Sequence, residues 1–384
     1  MEPLRSDTET VAVSNSGPGT MPTVGQALDP KHNSLNFLRL MLALAVVFSH
    51  SIILGGFGSE TILGKTTLGT VAVYGFFGIS GYLIAGSASR HRFGHYLWLR
   101  FLRIFPAFWV CLLLTAFGFG LLAWIGNTGH GTVRAYLTEP GGPFSYVRNN
   151  FLLKGSQQAI PGTLTGGIYQ VVWNGSLWTL FYEFLCYLLL GILAMVGLLR
   201  RRLLVAIIAL SVWIFEIIVT SFPTLNSQFT AISHYDLFNM TLLVPIFLTG
   251  SLVYLYRDQL PDSGWLALGG ALLFASGLFI PVGSNIPGIT LTSTSLTAVF
   301  LILPLLWLGI HLPFARVGAS NDYSYGLYIY AFPIQQLLAH WGLNQRGYWW
   351  YTAAVLACTA LFAAASWWLV ERRALKLKKW GAPD

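Results

Sequence analysis

The chain has 384 residues, 55% of them hydrophobic and only 9% charged, with a formal net charge of +8. Ordinary soluble chains carry roughly 25% charged residues, and so few cannot cover a water-soluble surface of this size. A set of soluble domains is excluded, and so is a nucleic-acid binder. The latter gathers its basic residues on one face, whereas here they follow the ends of apolar runs.

Residues 1–33 form a polar leader rich in Ser, Thr, Gly and Pro, of a composition expected to be disordered. It lacks the basic start, short apolar core and small-residue cleavage site of a cleaved signal peptide. Apolar runs then follow at Leu35–Leu54, Thr67–Gly86, Phe101–Ile125, Trp173–Leu198 and Leu203–Phe222. Five more lie at Leu237–Tyr256, Gly264–Pro281, Ile289–Leu312, Tyr323–Leu343 and Trp349–Val370. Each approaches the roughly 20 residues that cross a bilayer, the seventh least well. The expected fold is therefore all-α: a polytopic integral membrane helix bundle of about ten transmembrane helices. The long Gly-rich connection from Gly126 to Val172 is expected to be an ordered cap over one mouth.

Basic residues set the orientation. With the N-terminus cytoplasmic, the outer segments hold only Lys65, Arg134, Arg148, Lys154 and Arg346 of the 22 Lys and Arg. Both termini are thus expected in the cytoplasm. Cys111, Cys186 and Cys358 fall inside apolar runs and offer neither a disulfide framework nor metal-ligand spacing.

Ionisable groups inside a span cost about 2.5–3.5 kcal/mol each at its centre even on the mildest scale, so each is a functional candidate. Arg39 and His50 are eleven residues apart, close to three turns, and so share one helix face about 16 Å apart along the axis. The plain structural alternative is an anchoring arginine and a hydrogen-bonded core histidine. Arg100 and Arg103 are i, i+3 neighbours, and two guanidiniums there suit phosphate, though they also suit simple anchoring. Ser176 and Glu183, seven apart, are expected on one face, with Trp173 and Trp178 as interfacial aromatics or sugar platforms. Gly75, Gly78 and Gly81 form a smooth face for close helix packing. Ser324, Tyr325 and Tyr328 give a hydroxyl-rich turn before Pro333, which is expected to kink its helix. Glu216 is a further buried acid whose partner the spacing does not reveal.

Taken in order, these marks resemble the acyltransferase-3 family of membrane O-acyltransferases over about Leu35–Arg373. They are Arg39-x10-His50, Phe76-Phe77-Gly-Ile-Ser80-Gly81-Tyr82, Arg100-x-x-Arg103-x-x-Pro106, Ser176-Leu-Trp178-x4-Glu183, Ser324-Tyr-Gly-Leu-Tyr-Ile-Tyr and Val370-Glu371-Arg372. Ala331 stands where many relatives carry His and Arg373 where Pro is usual, the former pointing to the exopolysaccharide-modifying branch. The resemblance implies one acyltransferase domain over 34–373, a basic cytoplasmic tail over 374–384, and a stand-alone enzyme in a bacterial cytoplasmic (inner) membrane.

It further implies no bound cofactor but an acyl-CoA co-substrate, acetyl-CoA by expectation, its phosphates near Arg100, Arg103 and Arg39. The acceptor would be a polysaccharide or lipid-linked sugar at the outer side, beside polysaccharide-synthesis machinery. His50 would be the general base, with Glu183 orienting it. Arg39, Ser80 or Ser324 would offset charge on the thioester oxygen, with Tyr82, Ser176, Trp178, Tyr325 and Tyr328 as further substrate contacts. A covalent acyl-enzyme on His50 or a serine stays open. So do a proton-coupled transporter, against which stands the lack of an internal repeat, and a polysaccharide-export component.

Overall fold

The computed structural model describes residues 21–62, 66–127, 131–221, 228, 236–279 and 293–380. Every expected apolar run carries helix: α2 (Leu35–Leu54), α3 (Leu68–Arg90), α4 and α5 (Phe93–Leu113 and Gly120–Gly126, joined by a π segment), α8 (Trp178–Met195) and α9 (Arg202–Ser221). The remainder are α10 (Asp236–Leu255), α11 (Gly264–Ser276), α12 and α13 (Ser293–Thr297 and Ile302–His311), α14 (Ser324–His340) and α15 (Tyr348–Ser366). A short hairpin pairs Thr61 with Thr67 and Ile62 with Thr66.

Among the described residues six helices are long and apolar enough to cross a membrane, or seven if the pair bent by 40° at residue 301 counts as one. At 1.5 Å per residue, the 13 residues of α11 reach about 20 Å, short of a hydrocarbon core of about 30 Å. The third run is longer than expected. Helix begins at Phe93, so Arg100 and Arg103 lie two turns or more inside it rather than at its start.

Of the expected leader, residues 1–20, with Arg5, lie outside the described residues, as do Lys65, Phe222 and Pro281. The rest of the leader carries α1 (Val24–Ala27), opened by a reciprocal Thr23–Gln26 capping box. Val24 N donates to Leu260 O (2.8 Å) and Gly25 N to Arg257 O (2.9 Å), which ties α1 to the turn after α10.

The glycine face of α3 does what its spacing predicts. A Cβ on Gly81 would stand 2.0 Å from Phe247 O, and one on Gly250 would stand 2.1 Å from Gly78 O. The backbones of α3 and α10 thus touch where only glycine allows it. Pro333 breaks no helix, since α14 runs through it. Lacking an N–H, it frees the Ile329 carbonyl four residues back, and Asn174 Nδ2 donates to that oxygen at 2.8 Å.

The long connection carries α6 (Val133–Thr138) and α7 (Pro143–Asn150) and is tied down by side chains. Trp173 is fully buried, its Nε1 donates to Thr163 Oγ1 (2.7 Å), and Gln336 Nε2 donates to Tyr169 O and Val172 O. At the other end of the bundle, α15 continues through a π segment (Trp367–Glu371) into α16 (Arg372–Lys376). Trp98 Nε1 donates to Leu377 O (3.0 Å), so the expected tail lies against α4 as far as it is described.

Candidate active site

Four of the expected residues, Arg39, Ser80, Arg100 and Arg103, meet at the arginine-rich end. A cleft of about 450 Å³ is walled by Arg39, Arg90, Arg100, Arg103, His91 and Lys378, with Ser80 and Tyr187 on its inner side. Among the described residues no carboxylate lines it. Arg39 sits at its neck and also lines a small chamber of about 40 Å³ among Phe76, Phe77, Thr179, Glu183, Ser324 and Tyr328. Cleft and chamber are bridged by Ser80 Oγ, which donates to Glu183 Oε1 at 2.9 Å.

Sequence reading missed the residue that organises this end. Asp322, in the turn before α14, accepts from Arg39 Nη1 at 2.9 Å and from Arg103 Nη2. It also accepts from Ser324 Oγ at 2.5 Å and Ser324 N at 3.1 Å. Burial pushes its carboxyl up, but Arg103 and Arg39 outweigh burial and, with Ser324, hold it well below the usual carboxylate range. An acid opening a helix was the available signal. Arg103 also faces Glu371 at 3.7 Å, and Glu371 accepts from Ser366 Oγ at 3.0 Å across the π segment. Such single-turn irregularities recur at functional sites.

Hydrogen bonds fix Tyr328 in the chamber wall. Tyr328 OH donates to Ser176 O (2.9 Å) and lies 2.5 Å from Thr179 Oγ1, while its ring meets Phe76 edge-on at 5.7 Å. Phe332 is one turn further along α14, and its ring meets His50 edge-on at 5.2 Å. His50 Nδ1 is buried without a hydrogen-bond partner. Its neighbours on α2 are all engaged: Ser49 Oγ donates to Glu60 Oε2 (2.7 Å), and Ser51 Oγ accepts from Gln335 Nε2 (2.9 Å).

Several expected placements change. Glu183 accepts from Ser80 and from Tyr187 OH, and no hydrogen bond joins it to His50 among the described residues. Ser176 does not share a helix face with Glu183, because α8 starts at Trp178 and Ser176 lies in the turn before it, its N–H donating to Asn174 Oδ1 (3.3 Å). Thr179, one turn before Glu183, takes that place in the chamber. Ser176 Oγ is buried without a partner.

Tyr82, two residues from Ser80 and so on the opposite side of α3, packs against Tyr254 with ring centroids 5.5 Å apart. Trp178 is 42% exposed on the outside of the bundle, against Tyr182. Tyr325 OH donates to Ile104 O (2.8 Å) and its ring lies 5.7 Å from the Arg103 guanidinium. Ser80 and Ser324 give their hydroxyl protons to Glu183 and Asp322 rather than to open space. Glu216, read as partnerless from spacing, has a hydrogen-bond partner in Ser295. Among the described residues no three His, Cys, Asp or Glu side chains gather as metal ligands would.

Compared with known families, residues 32–368 match the one described as an acyltransferase domain. An O-acetyl transferase of Shigella phage Sf6 is 32% identical over 354 residues, covering 90% of this chain and 96% of that protein. Nodulation protein 10 of Rhizobium leguminosarum bv. viciae is 26% identical over 370 residues, covering 90% and 94%. No solved structure matches the chain.

Proposed function

The chain belongs to the acyltransferase-3 family, and from that premise we propose that this membrane O-acetyltransferase takes its acetyl group from cytoplasmic acetyl-CoA. The acceptor is a hydroxyl of a polysaccharide or lipid-linked sugar at the outer side of a bacterial inner membrane. The observation that carries the reading is the basic cleft whose Arg39 also lines the chamber of Glu183, Ser324 and Tyr328, on the helix that carries His50.

The phosphates of the donor lie against the basic wall, where guanidinium–phosphate hydrogen bonds are charge-assisted. Its flexible arm follows α14 past Ser324 and Tyr328 toward Phe332. Two turns of α14 separate Ser324 from Phe332, about 12 Å, so an extended thioester arm spans the interval once Tyr328 swings aside. There His50 takes the proton of the acceptor hydroxyl. The hydroxyl oxygen bonds to the thioester carbonyl carbon, the C–S bond breaks, and the imidazolium returns its proton to the CoA thiolate. Exposed Trp178, at the start of α8, offers a stacking surface to a sugar ring at the acceptor mouth.

The test is release of CoA thiol by the purified chain in detergent, given acetyl-CoA and a crude cell-envelope glycan, beside His50→Ala. Acceptor-dependent release, lowered about 10²–10⁴-fold in a folded variant, is expected. Release that survives the substitution removes His50 from the chemistry. No release with any acceptor or acyl donor, together with no acyl-CoA binding, overturns the donor reading and favours a transporter.

A further inference from the structure

We infer that the three site arginines divide their work: Asp322 clamps Arg39 and Arg103 in place as a positioning residue, and Arg100 receives the phosphates of the donor. The inference rests on the donor reading above and refines it.

The clamp is long-range. Arg39 and Asp322 are 283 residues apart in sequence and Arg103 and Asp322 are 219 apart, yet one carboxylate oxygen accepts from both guanidiniums. Glu371, only 3% exposed at its side chain, adds a second acid beside Arg103. Two guanidiniums facing two acids have their charge largely offset, and a phosphate there must compete with carboxylates in a partly buried site.

Arg100 differs in each respect. It lines the same cleft, pairs with no carboxylate among the described residues, and keeps a buried Nε without a hydrogen-bond partner. Its guanidinium lies over the Tyr187 ring, 5.9 Å from the centroid, which aims it without consuming its N–H groups. An unsatisfied buried donor is costly, and phosphate oxygens would satisfy it, with Arg90 and Lys378 on the same wall.

The clamp instead joins α2, α4 and the start of α14. Since α2 also carries His50, loosening the clamp disturbs the base, while Arg100 keeps its own support from the Tyr187 ring on α8. Removing the Asp322 charge also leaves the cleft more positive, which favours a polyanionic donor. The two arginine roles therefore separate kinetically.

The experiment measures CoA binding by calorimetry, and kcat and KM for acetyl-CoA, on the purified full chain carrying Arg100→Ala, Asp322→Asn or Asp322→Glu. Arg100→Ala is expected to weaken CoA binding and raise KM roughly 10- to 100-fold with kcat within about three-fold of wild type. Asp322→Asn is expected to lower kcat about ten-fold or more without raising KM, and Asp322→Glu to recover part of kcat.

Asp322→Asn raising KM as much as Arg100→Ala would overturn the division, as would Arg100→Ala binding CoA at wild-type strength. Should Asp322→Asn not fold, Arg39→Gln opens the same clamp from its other side and answers the same question. Failure of the wild-type chain to bind CoA overturns the donor reading itself, and that is seen before any variant is made.

Discussion

Alanine at Gly81 or Gly250 should separate two helices that now touch through their backbones. The added Cβ would lie 2.0 Å from Phe247 O in the first case and 2.1 Å from Gly78 O in the second. Ordinary van der Waals contact begins at 3.4 Å, so α10 must retreat from α3 by up to 1.4 Å. Both obstacles are carbonyl oxygens in helices, and no side-chain rotation relieves them.

Overpacking of this kind costs about 1–3 kcal/mol, which at about 2–4 °C per kcal/mol lowers the unfolding midpoint by several degrees. The rate should suffer more. Ser80 adjoins Gly81 on α3 and holds Glu183 at 2.9 Å, and a displacement of about 1 Å in such a site costs on the order of 10²-fold. Thermal unfolding in detergent and CoA-thiol release read the two effects. Gly269→Ala is the control: nothing lies within 4 Å of its new methyl, and replacing a helical glycine should stabilise by about 0.5–1 kcal/mol. If Gly81→Ala and Gly250→Ala melt and turn over like wild type, the close crossing is not a constraint and the reasoning fails.

Two further substitutions probe the route and its mouth. Tyr328→Phe removes the hydroxyl that closes the chamber onto Ser176 O and Thr179, at a cost of about 1–2 kcal/mol. Acetyl-CoA hydrolysis without acceptor should rise, and unchanged hydrolysis would mean that Tyr328 does not seal the route. Glu60→Gln addresses pH. Burial pushes the Glu60 carboxyl above its ordinary 4.5, only partly offset by Ser49, so the folded chain holds this proton more tightly than the unfolded one. Wild-type stability is then favoured below that ordinary value and declines as pH rises through the folded one. The variant should lack this decline, and parallel stability curves from pH 4 to neutrality would contradict it.

What could be read in sequence was what repeats locally. Apolar length gave all ten helix positions and the bounds of α2, and three-residue glycine spacing gave the α3 crossing face. Length alone does not tell a full span from a short apolar helix such as α11, whose 13 residues are apolar throughout. Helical arithmetic failed at Ser176 for a local reason: Ser176 lies in the turn before α8, and the Asn174 side chain is occupied with the carbonyl that Pro333 frees. Asp322 escaped because its meaning lies in partners more than 200 residues away, a juxtaposition that no spacing encodes. Glu371 belonged to a recognised motif, but its approach to Arg103 depends on a π segment that a regular helix reading does not anticipate.

The fixing of Tyr328 bears on proton movement as well as on the transfer. Polar and ionisable groups extend from Arg103 at one end of the bundle to His50 toward the other, the kind of series along which protons travel in pumps and carriers. The chamber between them, about 40 Å³, is lined by the Phe76, Phe77 and Tyr328 rings, and the Tyr328 hydroxyl is committed to Ser176 O and Thr179. A hydroxyl held in this way is not free to pass a proton along the series.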